Sequence, residues 1–275
     1  MELVKDPEAS GSLTSSTTLK LTGDKSLVSI MPHKSSSDRL SRAAQVLCRA
    51  VEQLDFSPQV PWVYNPLVYA WQAHRQYLQQ YARESCRVLF LGMNPGPWGM
   101  AQTGVPFGEV AAVKDWLGIA ADIEKPALEH PKRPVEGLAC QRSEVSGRRL
   151  WGLFAERYNS ADEFFDEHFV ANYCPLVFME QSAKNITPDK LQTELRQPLE
   201  TACDIHLAAA VRALQPEWIV GVGSWAEKCA QRVIGNEALE GVSVGRILHP
   251  SPASPAANKD WSGTAARQLR ELGIW

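Results

Sequence analysis

Four short apolar runs with helical patterns between them constrain the fold of this chain most. The runs lie at 87–92, 168–173, 218–222 and 242–248. They have the length and composition of strands buried in a parallel sheet. Helical patterns lie at 189–214, 224–236 and 259–272. This alternation predicts an α/β fold around a central, mainly parallel sheet.

The N-terminal segment has a different composition. Residues 1–37 contain 13 Ser or Thr and no Phe, Tyr or Trp. Such a segment cannot bury enough apolar area to offset the entropy of ordering it. We therefore expect a disordered tail over 1–37 and a single domain over 38–275, whose first helix begins near Asp38. A second helix is expected within 66–84.

Charge and cysteine usage exclude several classes of protein. The chain has 28 basic and 31 acidic residues, a net charge of −3, which argues against binding nucleic acid or membranes by bulk charge but allows a local basic face. No run approaches the ~18 apolar residues of a membrane helix, so we expect no membrane association. The 6 cysteines form no C-x-x-C pair and no cluster with histidine, so the sequence predicts neither a metal site nor a disulfide framework.

Three of the predicted strands are followed by polar side chains. Asn94 follows the first run, Asn172 the second and His249 the fourth. In open α/β sheets ligands bind beyond the carboxyl ends of the strands, so these side chains should share one edge. Taken singly, an Asn before Pro is usually a turn former and a lone His is usually structural. Their convergence predicts a functional site.

A second motif favours a different function. Gly221-Val-Gly-Ser-Trp-Ala226 has the G-x-G-x-x-A form of a dinucleotide-binding turn between strand and helix. That fingerprint also needs an acidic residue after the next strand, where His249 stands here, while Glu240 precedes that strand. Close packing of strand on helix accounts for the glycines. A dinucleotide-dependent oxidoreductase remains an alternative that predicts cofactor binding at 221–226.

Several longer segments resemble one known family. They are Leu91–Glu109, His130–Pro134, Ser143–Gly147, Phe169–Leu176 and Leu248–Pro252. Each closely resembles a motif of the uracil-DNA glycosylase superfamily, in particular of its single-strand-selective monofunctional branch. The likeness runs from about residue 55 to 272 in the family's order and does not include the tail.

The resemblance implies a three-layer α/β/α fold and a DNA glycosylase that begins base-excision repair. Such an enzyme hydrolyses the N-glycosidic bond of uracil, and of some 5-modified uracils such as 5-hydroxymethyluracil, in single- and double-stranded DNA. The implied partner is DNA that contains uracil or oxidised pyrimidines, with no metal and no cofactor. We further expect a monomer, located in the nucleus if the source is a eukaryote and in the cytoplasm otherwise.

The resemblance also implies roles for individual residues. Asn94 would position the attacking water, and His249 would donate a hydrogen bond to the uracil oxygen on which charge develops. The base would be bound by Asn172 at its amide edge, by the ring of Phe107, by the backbone of Met93, and by a wall near C5 that runs from Gly96 to Met100. An amide presents an acceptor beside a donor, as the O4 and N3–H of uracil require.

An asparagine cannot act as a general base near neutral pH, so Asn94 would only orient water. The uracil would then have largely departed before water attacks. Asn94 also supplies no amine nucleophile, so the resemblance implies an enzyme without a strand-cutting lyase step.

Contacts with DNA are implied in two further segments and in one basic region. The first segment contributes Ser182, Lys184, Asn185, Thr187 and Lys190. The second is a wedge loop of Pro250, Ser251, Pro252 and Ala253. The region 130–149 has five basic residues against two acidic ones, which suits phosphates, although an ordinary solvated loop would have the same composition.

The sequence departs from the family pattern at two positions: Ala253 stands where an Arg is expected, and Trp98 where a Phe is expected.

A non-catalytic nucleic-acid or nucleotide binding module on the same fold is the remaining alternative. The presence of both Asn94 and His249 favours the enzyme, because a binding module has no need of either.

Overall fold

The computed structural model describes residues 35–57 and 59–275, which fall within one compact unit, Lys34–Trp275. The strands are β1 (Trp62–Tyr64), β2 (Val88–Gly92), β3 (His168–Asn172), β4 (Val177–Met179), β5 (Asn185–Ile186), β6 (Trp218–Val222) and β7 (Ser243–Ile247). Four of them form a parallel sheet in the order β3-β2-β6-β7. The other three form a small antiparallel sheet in the order β1-β4-β5.

Helices pack around the parallel sheet in two groups. They are α1 (Ser36–Glu52), α2 (Pro66–Tyr69), α3 (Trp71–Tyr81), α4 (Met100–Thr103), α5 (Val145–Arg157), α6 (Ala161–Glu167), α7 (Thr193–Leu214), α8 (Ser224–Asn236) and α9 (Pro255–Glu271). A π-helical turn spans Ala112–Trp116, and 3₁₀ turns span Gly137–Ala139 and Pro188–Lys190. Helix α7 contacts α1 and α8, whereas α5 contacts α9. The predicted three-layer α/β/α fold around a mainly parallel sheet is confirmed.

Burial explains why the central strands read as apolar runs. All five residues of β2 are buried, as expected for a strand covered on both faces. Aromatic rings fill the layer beside it: Phe90 packs on Phe154 with 5.0 Å between ring centroids, and Phe154 stacks on Phe164 at 4.3 Å. The core is therefore continuous from the sheet into the helices.

The first helix begins at Ser36, two residues before the predicted boundary. Ser35 caps it by accepting a hydrogen bond from the backbone N–H of Asp38. Ser36 is fully buried, and its hydroxyl donates to the carbonyl of Ala213 at 2.9 Å. The predicted tail otherwise lies outside the described residues.

Strand order creates a crevice at one end of the parallel sheet. The chain leaves β2 towards β3 and leaves β6 towards β7, so the connections from two neighbouring strands run in opposite directions. Such a switch point is where open α/β sheets bind ligands. The pairing of Gly92 with Asn172 and of Val222 with Ile247 brings the three predicted side chains to this edge.

Candidate active site

A cleft of about 410 Å³ opens at the switch point. Of the predicted residues, the following line it: Met93, Asn94, Gly96, Met100, Phe107, Asn172, Asn185, Thr187, His249, Ser251 and Pro252. The structure therefore brings together in one cleft both proposed catalytic residues and all five proposed base-binding residues. The roles of these residues remain predictions, since a lining position gives location and not chemistry.

The side chain of Asn94 is held by its amide nitrogen. Nδ2 donates to the carbonyl oxygen of Leu176 at 3.0 Å and to that of Pro95 at 3.3 Å. No donor among the described residues is hydrogen-bonded to Oδ1. The amide oxygen is thus available to accept a hydrogen bond from a water molecule in the cleft.

Asn172 and Phe107 meet over the end of β2. The Asn172 amide is buried and donates from Nδ2 to the sulfur of Met100 at 3.4 Å. A Cβ added at Gly92 would overlap both Asn172 Oδ1 and the Phe107 ring, so glycine is needed for this close approach. The cleft thereby presents an amide beside an aromatic face.

Phe107 has an unfavourable backbone conformation at this position. Its φ is +53°, in the left-handed region, which costs a residue with a Cβ about 1–2 kcal/mol. The carbonyl of Phe107 accepts a hydrogen bond from the N–H of Glu109 at 2.7 Å, within a tight turn. The strained conformation is held by its surroundings and directs the ring into the cleft.

His249 has a defined protonation pattern. The backbone N–H of Ser251 donates to Nδ1 at 3.1 Å, so Nδ1 is unprotonated and the ring proton is on Nε2. Burial lowers the pKa of His249 below its usual 6.5, which favours the neutral ring at physiological pH. The imidazole can therefore donate one hydrogen bond from Nε2 into the cleft without being charged.

The glycines of the G-x-G-x-x-A segment have packing roles. Gly223 has a φ of +98°, and a Cβ there would lie 3.1 Å from Cβ of His249. A Cβ at Gly221 would overlap the backbone nitrogen of Glu227 in α8. Both contacts need glycine for reasons unrelated to a pyrophosphate, so they give the dinucleotide alternative no support.

Besides Pro95, two residues that line the cleft were missed as site residues by the sequence analysis, Glu144 and Ser146. Glu144 caps α5 by accepting from the N–H groups of Ser146, at 3.0 Å, and Gly147. Burial raises the pKa of this carboxyl above its usual value, and nearby Glu109 raises it further. Their signal was present in the motif Ser143–Gly147, but a capping carboxylate ahead of a helix does not by itself indicate a cleft.

The comparisons with known proteins agree with this geometry. The family model of the uracil DNA glycosylase superfamily matches residues 78–270. The single-strand selective monofunctional uracil DNA glycosylase of Bos taurus is 50% identical over 224 residues, which is 82% of each chain. That of Rattus norvegicus is 49% identical over 224 residues, 82% of this chain and 80% of the relative. The chain belongs to the uracil DNA glycosylase superfamily.

A solved structure shows the same fold. The crystal structure of WT Pedobacter heparinus SMUG2 aligns with a TM-score of 0.58 and 15% identity, over 85% of this chain and 99% of that one. The prediction that the protein is an enzyme, a uracil-DNA glycosylase, is confirmed by the family match and by the relatives at about half identity.

In this glycosylase, five of the nine residues predicted to contact DNA do not line the cleft, and three of the five belong to the first predicted segment. Ser182, Lys184 and Lys190 are exposed. The ammonium of Lys184 lies 3.8 Å from Glu180, and that of Lys190 lies 3.2 Å from Asp189. To bind a phosphate, each lysine must break its ion pair or bind the carboxylate and the phosphate together. The ion pairs therefore reduce the net positive charge that the two lysines present to DNA.

The predicted wedge loop forms a tight turn after His249. Ser251 and Pro252 line the cleft, Pro250 is buried and Ala253 is exposed. The carbonyl of Ser251 accepts from the N–H of Ser254 at 3.0 Å, and its hydroxyl accepts from that of Ala253 at 3.2 Å. Ala253 is thus the tip of the turn.

The basic residues of 130–149 differ from most other cations of the glycosylase. Among the described residues, none of these five side chains has a carboxylate oxygen within 4.0 Å; they are Lys132, Arg133, Arg142, Arg148 and Arg149. From Val145 onwards this region is α5 rather than a loop. An uncompensated positive region therefore borders the cleft.

The described residues contain no group of three His, Cys, Asp or Glu side chains arranged to hold a metal ion. All six cysteines are free thiols. No helix within the described part of the chain combines the length and apolar character needed to span a membrane.

Proposed function

We propose that this glycosylase excises uracil, and 5-modified uracils such as 5-hydroxymethyluracil, from single- and double-stranded DNA. The names of its relatives support uracil in DNA, a preference for single strands and a monofunctional reaction. The observation that carries the proposal is the convergence of Asn94, Asn172 and His249 on one cleft. A base in a duplex cannot reach such a cleft, so the nucleotide must flip out, at a cost of a few kcal/mol. Single strands avoid much of that cost.

Recognition of the base follows from hydrogen-bond chemistry. The Asn172 amide offers an acceptor to N3–H and a donor to O4 of uracil, while Phe107 stacks on the ring and the backbone of Met93 contacts its edge. Cytosine reverses this donor and acceptor pattern and would leave buried groups unpaired, which can reduce the rate by orders of magnitude. The wall from Gly96 to Met100 faces C5.

The reaction breaks the bond between C1′ of the sugar and N1 of uracil. Uracil departs with the bonding electrons, and the negative charge on its oxygen is stabilised by the Nε2–H of neutral His249, an interaction of the oxyanion type. Water oriented by Oδ1 of Asn94 then adds to C1′ and gives up a proton to the solvent, and the uracil anion takes up one proton from the solvent. The products are free uracil and an abasic site.

The proposed reaction ends at the abasic site. A lyase step needs an amine that forms a Schiff base with C1′. None of the cleft-lining residues among those described is a lysine. We therefore propose a monofunctional enzyme. We also propose that it acts as a monomer in base-excision repair, in the nucleus if the source is a eukaryote and in the cytoplasm otherwise.

The test is a single-turnover assay with an end-labelled single strand that carries one uracil, divided into samples with and without hot alkali. We expect cleavage only after alkali, with the same rate in EDTA. A strand left intact under both treatments by folded protein would favour the non-catalytic binding module. Strand breaks without alkali would contradict the monofunctional reaction.

A further inference from the structure

One aromatic ring on the rim of the cleft contacts two guanidinium groups. The Cζ of Arg133 lies 5.0 Å from the ring centroid of Trp98, and the Cζ of Arg142 lies 5.4 Å from it. Both distances are within the range of cation–π attraction. Trp98 stands between Gly96 and Gly99, which line the cleft. The two guanidinium carbons are therefore at most about 10 Å apart and lie beside the cleft.

A buried glutamine joins the backbone segments that carry Trp98 and Arg133. Gln102 is fully buried, and its Nε2 donates to the carbonyls of Pro97 at 2.9 Å and Pro134 at 3.0 Å. Its Oε1 accepts from the N–H of Glu136 at 2.8 Å. Pro97 precedes Trp98 and Pro134 follows Arg133, so three hydrogen bonds hold the backbone segment of the indole beside that of this guanidinium.

The segment of Arg133 is fixed from its other side as well. The hydroxyl of Tyr64 donates to the carbonyl of Arg133 at 2.8 Å and accepts from the N–H of His130 at 2.6 Å. The N–H of Arg133 donates to the carbonyl of His130 at 2.8 Å. The backbone that carries Arg133 is thus held by hydrogen bonds on both sides.

Neither guanidinium is neutralised by the protein. Within the described residues, no carboxylate oxygen lies within 4.0 Å of Arg133 or Arg142. Arg133 donates from Nη1 to the neighbouring carbonyl of Lys132, and its buried Nε has no hydrogen-bond partner in the part of the chain that the structure describes. In contrast, Arg232 has a bidentate contact with Asp204 at 2.8 and 2.9 Å. Two cations with unused donors are held together beside a site for DNA.

We propose that Trp98, Arg133 and Arg142 form a phosphate-binding site for the DNA backbone next to the flipped nucleotide. The ligand is a phosphodiester, because a guanidinium fork matches phosphate geometry and pairs with its charge. Such contacts position the strand without reading its sequence. The indole binds cations more strongly than a phenyl ring does, which gives a physical role to the tryptophan at this position. This inference rests on the proposed function only in taking DNA as the ligand.

The test measures the affinity for a labelled single strand without uracil, by fluorescence anisotropy, over a series of NaCl concentrations. Each Arg that contacts a phosphate contributes about 0.7 to the slope of log K against log salt. We expect Arg133→Gln and Arg142→Gln each to reduce the slope by about 0.7, and the double variant by about 1.4. Trp98→Ala should weaken binding several-fold without any change of charge, and Trp98→Phe should lie between it and the wild type.

The matched control is Arg42→Gln, which removes the same charge from an exposed position on α1, in a groove that shares no lining residue with the cleft. It should leave the slope at its wild-type value. A wild-type slope in the Arg133, Arg142 double variant would overturn the proposal, and so would an equal effect of Arg42→Gln. Arg133→Lys and Arg142→Lys keep the charge and should restore the slope but not the full affinity.

Failure of the proposed function has a different signature. It would appear in the wild-type protein as no alkali-sensitive cleavage of a strand that carries uracil. The salt dependence of binding to a strand without uracil does not depend on that result.

Discussion

At the scale of single residues, Asn94 and His249 offer complementary groups to the cleft, an acceptor oxygen and a neutral donor. We expect Asn94→Ala and His249→Leu each to reduce single-turnover excision of uracil by about 10²–10³-fold, the range for loss of one preorganised group at the reacting centre. The measurement is the rate at saturating enzyme, together with the Kd for an abasic strand. Because neither group is needed to hold the backbone of DNA, the Kd should change by much less than the rate. An unaltered rate in Asn94→Ala would contradict the mechanism.

The protonation of His249 determines how the single-turnover rate should depend on pH. Its folded pKa lies below 6.5 because burial disfavours the imidazolium, and Nδ1 accepts from Ser251. The neutral ring therefore persists as the pH falls through 6.5 and is lost only around the lowered pKa. We expect the acid limb of the single-turnover rate to lie below pH 6.5 in the wild type. A limb at or above 6.5 would mean that the active ring is not the one that the structure describes.

Some residues of the cleft could be predicted from the sequence, and others could not. Asn94, Asn172 and His249 could be predicted because each follows a strand, and parallel strands end at one edge. Glu144 could not, because its approach to the cleft depends on the tertiary contact between the start of α5 and Gly99, where an added Cβ would lie 3.0 Å from Glu144 Cγ. Nothing in a single sequence records that contact.

At the scale of elements, α5 and α9 together support the wedge loop. The guanidinium of Arg149 donates to the carbonyl of Pro250 and to Oδ1 of Asn258, both at 2.9 Å. Nδ2 of Asn258 donates to the carbonyl of Pro252 at 2.8 Å. Two carbonyls of the turn that follows His249 are thus held from behind by one connected set of side chains.

We expect Arg149→Met to reduce single-turnover excision by about tenfold, since a small misplacement of an active-site loop is costly. Asn258→Ala should have a smaller effect, and the double variant should fall short of the product of the two, because both side chains act on one turn. The rates are to be compared on matched single and double strands.

The control for this prediction is Arg148→Met. It removes the same charge from the same helix, but among the described residues the Arg148 guanidinium is hydrogen-bonded only to the hydroxyl of Ser143, at 3.3 Å. Equal losses in the two variants would assign the effect to charge rather than to support of the loop. Arg149→Lys can reach only one of the two acceptors and should recover part of the rate.

Some strands and helices could be predicted from the hydrophobic pattern of the sequence, and others could not. Strands β2, β3 and β6 are mostly buried apolar runs, whereas in the edge strand β7 only Gly245 and Ile247 are buried. All four strands were predicted to within one residue at each end. The second sheet was missed because its strands have only three, three and two residues, too short for a period to appear. Helix α9 begins at Pro255, before the predicted start at residue 259. Asp260 has a non-helical conformation, so the residues before it form a separate first turn that the predicted pattern did not include.

At the scale of the whole molecule, the buried His74 and His168 and the partly buried His206 couple stability to pH. Burial is the main cause that lowers the pKa values of His74, His168 and His206 to about 4 each. These rings are neutral in the folded state, whereas the unfolded chain binds a proton at each below about pH 6.5. The stability that depends on these neutral rings is therefore fully present above pH 6.5 and is lost as the pH falls towards 4. From a difference of this size each of the two buried rings, His74 and His168, accounts for a loss of about 3 kcal/mol over the whole window.

His168 allows this coupling to be measured, because its ring stacks on Phe90 with 5.7 Å between centroids and a phenyl ring can replace it. We expect the free energy of unfolding in urea to fall between pH 7 and pH 5 in the wild type, and to fall by about 2 kcal/mol less in His168→Phe, since one of the coupled protons has been removed. Comparing the two pH values within each protein cancels any change in packing, including the loss of the contact between Tyr158 Oη and His168 Nε2 at 3.3 Å. If the variant loses as much stability as the wild type over this interval, His168 is not buried as a neutral ring, and the acid sensitivity of the fold must come from its other ionisable groups.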